Sequence, residues 1–254
     1  MFLGLENNAD LGFKAIYTEG GLTVGAGFYK NPENEHGTAH FRPDVTALGD
    51  ITVPGTAEIF RANDDPVNQF NGSLAYVFGD DPNRTTTVGG TARIGQLYNT
   101  DTRDKGSHWA SAAFVTQKWD QWAFILQAAR YQYNPERPAG QPDDSIALSD
   151  GRLMPASGNV YSTRVSYTLP VRLGPFKTLT FFDDFDYLDS GSNDQLTSKN
   201  TSYNIGGMQF SSGNLNVWVT VQSGRNASVA FVGPDANDDK WHHSYNVITG
   251  IYFW

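Results

Sequence analysis

The sequence predicts an all-β chain: a transmembrane, antiparallel, up-and-down β-barrel, one domain over residues 1–254, with about eleven to twelve strands present. Three observations predict it. Apolar residues alternate with small or polar ones over stretch after stretch, the pattern of a strand with one apolar face. The connections between these stretches alternate between short and long. The chain closes on His243-Ser-Tyr-Asn-Val-Ile-Thr-Gly-Ile-Tyr-Phe-Trp254, an alternating run with no polar tail behind it.

Composition agrees with short strands and turns rather than long helices: 26 Gly, 16 Phe, 12 Tyr and 6 Trp stand against 3 Met. The longest apolar run, Trp122 to Leu126, is far below the ~20 residues of a membrane helix. The negative mean hydropathy excludes helical spans and leaves a barrel open, because only every second residue of a barrel strand meets lipid. The absence of Cys excludes disulfides and thiolate metal sites, and a net charge of -9 argues against a nucleic-acid partner. Met1 to Asn8 has neither a basic nor a long apolar segment, so an export signal is expected to have been removed or to precede a truncated chain.

Taken in order, Leu11, Phe13, Ala15 and Tyr17 alternate with Gly12, Lys14, Ile16 and Thr18, and Glu19-Gly20-Gly21 turns the chain into Leu22–Tyr29. Phe2–Asn7 reads as the remnant of a further strand. Residues 31–68 have no periodicity, an unusual length for a structureless segment. This stretch is expected to fold into or over the mouth of a pore, with Arg42, Asp50, Glu58 and Arg61 as candidates to line a constriction. Strands are expected again at 70–78 and 87–98, about a turn at Asp80-Asp81-Pro82-Asn83, and at 109–119 and 122–133, about Asp120-Gln121. A long loop, 135–158, precedes strands at 161–169 and 178–188, joined through Pro170–Phe176. Strands at 203–210 and 215–222 follow, then a loop over 224–241 and the terminal strand. All the long connections fall at one end of the strands, an asymmetry that a membrane barrel has reason to build and a sandwich does not.

Charges inside the strands select the face that lines the interior. By alternation with apolar neighbours these are Lys14, Arg93, Arg164, Asp184 and Asp186. A basic side chain facing lipid at the midplane costs ~2–4 kcal/mol, so the register favours the interior. Arg130 shares the face of Trp122, Phe124, Leu126 and Ala128, which places it near the outer rim or calls for a bulge. Interior charges of both signs would set a field across a pore, unless they pair within a narrow, plugged barrel.

Catalytic and metal-binding patterns are weak. His36 and His40 have ligand spacing for a helix but lie in loop composition, His242-His243 is a strand junction, and no metal or cofactor is expected. His108 near Ser111 is the one pairing that suggests an enzyme, and no acidic partner is assignable by spacing. Asn63-Asp64-Asp65 and Asp235–Asp239 read as solvated loop acids rather than a calcium loop.

The terminal aromatic strand, the loop asymmetry and the hairpin Leu169-Pro170, Leu173-Gly174-Pro175-Phe176, Leu179-Thr180-Phe181 together resemble the C-terminal part of a large bacterial outer-membrane porin. The pattern is similar to the phosphate-selective and related substrate-specific porins. That resemblance implies a sixteen-stranded homotrimer in the outer membrane, lacking its N-terminal portion here, that passes small hydrophilic solutes without catalysis. The scattered basic positions depart from the Arg and Lys clusters of the phosphate-selective members. Two other classes remain: a soluble β-sandwich or lectin-like binding module, and an outer-membrane enzyme.

Overall fold

A computed structural model describes residues 10–32, 50–52, 59–61, 63–141, 145–147, 153–190, 200–226 and 239–251. In chain order its strands are β1 (Asp10–Glu19), β2 (Leu22–Pro32), β3 (Asp50–Thr52), β4 (Ile59–Arg61), β5 (Asp64–Phe78), β6 (Arg84–Asn99), β7 (Lys105–Trp119), β8 (Trp122–Asn134), β9 (Ser145–Ala147), β10 (Leu153–Pro155), β11 (Ser157–Leu173), β12 (Phe176–Asp189), β13 (Thr201–Ser212), β14 (Leu215–Arg225) and β15 (Trp241–Ile251). Phe2–Asn7, Arg42, Glu58, His36, His40 and the terminal Tyr252-Phe253-Trp254 lie outside the described residues.

Eleven strands form one antiparallel sheet in the order β1-β2-β5-β6-β7-β8-β11-β12-β13-β14-β15, each pairing with its neighbour in sequence once the two small hairpins β3–β4 and β9–β10 are set aside. All eleven expected strands are present, and most reach further on the side of the long connections. β5 begins at Asp64 and β7 at Lys105, both inside stretches that lacked clean alternation. β11 continues through Pro170 to Leu173, so the turn there is only Gly174-Pro175. Pro170 is tolerated because it lies beyond Tyr167, the last β11 residue paired to β8, and next to a register shift on the β12 side.

The sheet is not closed among the described residues: β1 and β15 are its two edges. β1 runs into the tight Gly20-Gly21 turn, where both residues have positive φ (55° and 84°), as a two-residue hairpin turn of this hand requires. β15 runs away from the long connection after Arg225, so the two edge strands point the same way.

The two faces differ across most of the sheet, whereas the edge strands β1 and β15 also expose Ile16 and Ile248 on the polar face. One carries Phe13, Tyr17, Val24, Phe70, Leu74, Tyr76, Val88, Ile94, Val115, Phe124, Leu126, Phe181, Val219, Val221, Tyr245 and Val247, all exposed, with Tyr245 at 81% and Val247 at 72%. Leu22, Phe28, Leu215 and Val217 share that apolar face and are part-buried by their neighbours on it. The opposite, polar face holds most of the buried groups, among them Asn99, His108, Asp184, Asp186, Asn216, Thr220 and Gln222. Trp119 and Trp122 pair directly across the Asp120-Gln121 turn and stand exposed on the apolar face. Amphipathic rings suit the level where an apolar surface meets water.

The packed apolar core is small and sits on the polar face, at the end of the long connections. Leu97, Tyr131, Tyr133, Val160 and Leu188 project from four strands of the sheet, and Ile146 and Ala156 of the 135–158 connection close over them.

Candidate functional site

The polar face brings all five expected interior charges to one side of the sheet. Lys14 pairs in register with Gly27, and Arg93 with Asn71 and Ala110. Arg164 sits directly opposite Asp184, and Asp186 lies two residues further along the same strand. Asp183 points to the apolar face, where its Oδ1 accepts from Asn204 Nδ2 at 3.0 Å, while Asp184 next to it lies on the polar face.

The charges segregate along the face. At the β1–β8 side a cavity of about 410 Å³ is lined by Lys14, Asn71, Ser73, Arg93, Gln127 and Tyr131, among others, and by no acidic residue. Asn71 Oδ1 is buried there without a hydrogen-bond partner among the described residues. Arg93 donates from Nη2 to the Tyr133 hydroxyl, and its guanidinium lies 5.8 Å from the centre of the same ring. His108 stacks on Tyr133 with centroids 5.3 Å apart and planes 3° from parallel. The stack needs Gly95 beside it, because a β-carbon at Gly95 would come within 2.3 Å of His108 Nε2.

At the β11–β13 side the balance is acidic. Asp184 and Asp186 are 7% and 4% exposed. Arg164 Nε lies 2.7 Å from Asp184 Oδ1, with the guanidinium 6.0 Å from the Phe182 ring centre. Among the described residues no aligned hydrogen bond reaches either carboxylate oxygen of Asp184, so the contact is an ion pair of poor geometry rather than a charge-assisted hydrogen bond. Further round, Tyr203 donates to Gln222 Oε1 at 2.8 Å and Gln209 to Asn216 Oδ1 at 3.0 Å, a polar lining that continues onto β14.

The described parts of the connection 135–158 (135–141, 145–147 and 153–158) lie over this face. Arg137 Nε bonds Asp64 Oδ2 at 3.3 Å, with side chains only 2% and 4% exposed. Asn99 Nδ2 donates to Asp64 Oδ1 at 3.0 Å, while Asn99 Oδ1 accepts the backbone N–H groups of Asp101 and Thr102. Asp64 therefore differs from the solvated loop acid expected of Asn63-Asp64-Asp65. It stands at the loop-side tip of β5, where burial pushes its carboxyl above the usual range, opposed by Asn99 and Arg137. Tyr131 donates its hydroxyl to Pro155 O at 3.1 Å, fixing the far end of the same connection.

Of the constriction candidates in 31–68, Asp50 and Arg61 pair across the β3–β4 hairpin. Arg61 is exposed, and its backbone N–H donates to Gln141 Oε1 at 2.9 Å, so β4 leans on the 135–158 connection. The Arg93–Tyr133–His108 stack and the Asp64–Arg137 pair were not foreseen. Their one signal in the sequence was Tyr131 and Tyr133 on the polar-face parity of β8, opposite to Phe124 and Leu126.

Two further expectations resolve by register. His108 and Ser111 are three apart in a regular strand and lie on opposite faces, since Ser111 pairs with Ala92 and Arg130 of the apolar face. Arg130 is on the apolar face, without a bulge, and donates to Asn159 Oδ1 at 3.2 Å. Among the described residues no group of three or more His, Cys, Asp or Glu could hold a metal ion. The chain matches no family model, no curated protein and no solved structure.

Proposed function

We propose that this chain forms the wall of an outer-membrane channel for passive diffusion of small hydrophilic solutes or ions, with the polar face lining the passage. The observation that carries the reading is the inversion of the two faces: large apolar side chains stand exposed across the sheet while charged and amide side chains are buried opposite. A β-sandwich would cover its apolar face with a second sheet. Hydrocarbon would cover this one without further protein, and between the two edges the backbone polar groups are satisfied by neighbouring strands, as a bilayer demands.

Strand direction constrains the closed form. Because β1 and β15 point the same way, antiparallel closure takes an odd number of further strands between them. A sixteen-stranded barrel meets that condition, as does a twelve-stranded one. In either, the basic cavity and the acidic β12 surface face one lumen and set a transverse field across it. The 135–158 connection narrows the lumen from the loop side.

Reconstitution tests the reading. Purified protein should require detergent and, in planar bilayers with symmetric salt, open stepwise conductances. Protein that stays monodisperse without detergent and produces no conductance would favour the soluble binding module instead.

A further inference from the structure

Between Asp184 and the short turns, the polar face of β12–β14 carries no charged side chain. Its residues stand in register rows across the three strands: Phe182, Gly207 and Thr220 in one, and Thr180, Gln209 and Trp218 in the next towards the turns. Hydroxyl and amide groups make up most of this wall, and the part-buried rings of Phe182 and Trp218 interrupt it. Some of its hydrogen-bonding capacity is not consumed within the chain. Thr220 is 7% exposed, and its Oγ1 has no hydrogen-bond partner among the described residues. Gln209 donates from Nε2 to Asn216 Oδ1 at 3.0 Å, which leaves its own carbonyl oxygen to accept. A β-carbon at Gly207 would collide with the Val219 carbonyl oxygen, so no side chain stands between Phe182 and Thr220. The charged groups of the same face lie elsewhere: Lys14 and Arg93 at the β1–β8 cavity, and Arg164 and Asp184 one row nearer the long connections.

We infer that this wall is a binding track for neutral sugars, with the ring faces of a saccharide against Phe182 and Trp218 and its hydroxyls bonded to Gln209 and Thr220. The inference rests on the channel reading above and narrows its solute class. An ion that sheds water against an uncharged wall finds no counter-charge to replace its hydration. A saccharide carries no charge, its hydroxyls both donate and accept, and the C–H faces of its rings fit the flat apolar faces of aromatic side chains. Phe182 and Trp218 are two strands and two residues apart, roughly 12 Å between their backbones, so a solute of several rings can touch both at once. Gly207 and Gln209 lie between them on β13, one bare and one an amide, so the floor of the track is open where the solute would lie.

Maltotriose added to single channels in planar bilayers in potassium chloride tests the track. The sugar should interrupt the ion current in proportion to its concentration. Trp218→Ala and Phe182→Ala should each raise the half-blocking concentration by about threefold to tenfold, and Trp218→Tyr, which keeps an aromatic face, should raise it less. Thr220→Val removes the hydroxyl at similar shape and should raise it by about threefold or more without lowering thermal stability. Loss of either ring should weaken maltotriose more than glucose, because only the longer sugar spans both. The conductance of each variant before sugar is added shows that it has assembled. Channels whose current maltotriose never interrupts, or in which it blocks the natural protein and Trp218→Ala alike, overturn the sugar track while leaving the channel intact. Protein that conducts in no salt overturns the channel reading itself.

Discussion

At the scale of single residues, the two arginines of the polar face are held differently, and that difference sets what their replacement does. Arg93 is braced by the Tyr133 hydroxyl and ring and faces a cavity lined by no acid, whereas Arg164 is partly neutralised by Asp184. Arg93→Gln should move the reversal potential in a salt gradient towards cations, and Arg164→Gln should do so as well, by leaving the Asp184 carboxylate without its counter-charge. No shift in either, with a loss of thermal stability instead, would make both arginines structural. The buried pair is a stability matter. Arg137→Met leaves the Asp64 carboxylate uncompensated in a site that excludes water, and breaking one side of such a pair costs about 3–5 kcal/mol. The loss is expected to be local, read as faster protease cleavage within 135–158 while the sheet persists by circular dichroism.

At the scale of elements, the described parts of the connection 135–158 form a packed cover. Ile146 and Ala156 join the larger apolar cluster among the described residues, and the two ends are fixed by Arg137 and by the Pro155 carbonyl. Removing residues 138–155 with a short Gly-Ser bridge should raise single-channel conductance, roughly twofold if this segment sets the narrowest part of the passage. Removing residues 33–49 should change it less. The opposite order would return the constriction to the 31–68 segment, where Arg42, Asp50, Glu58 and Arg61 were expected to act. The aromatic pair at the β7–β8 turn makes a separate point about depth. Trp119 and Trp122 stand at the short-turn edge of the apolar face. Replacing both with Lys should leave the strands paired while weakening retention in vesicles, measured by flotation.

At the scale of the whole molecule, the open sheet and its parallel edges govern the behaviour of the isolated chain. Edge strands with unpaired backbone groups and exposed rows such as Tyr245 and Val247 are templates for pairing with other chains. This chain by itself is expected to aggregate in buffer and to be rescued by detergent, with protease accessibility concentrated at the long connections. A monodisperse, detergent-free monomer by light scattering would contradict the membrane reading.

All eleven long strands were legible in the sequence, as was the common face of Lys14, Arg93, Arg164, Asp184 and Asp186. Successive side chains of a strand leave opposite sides, so a run such as Leu215, Val217, Val219, Val221 determines both the strand and its orientation. The strand ends on the loop side were not legible: in Asp64–Gln69 a register shift between Val67 and Phe70, with Asn68 at a positive φ of 52°, breaks the alternation, and in Lys105–His108 the buried positions are Gly106 and His108, which carry no apolar signal. The tertiary structure alone decided which side chains meet. Arg137 and Asp64 are 73 residues apart in the chain, and Arg93, Tyr133 and His108 come from three strands. Their contact depends on the register of β5 through β8 and on where one connection lies down, and periodicity carries no information about either. Alternation is a property of one strand, but a site on a sheet is a property of several strands in register.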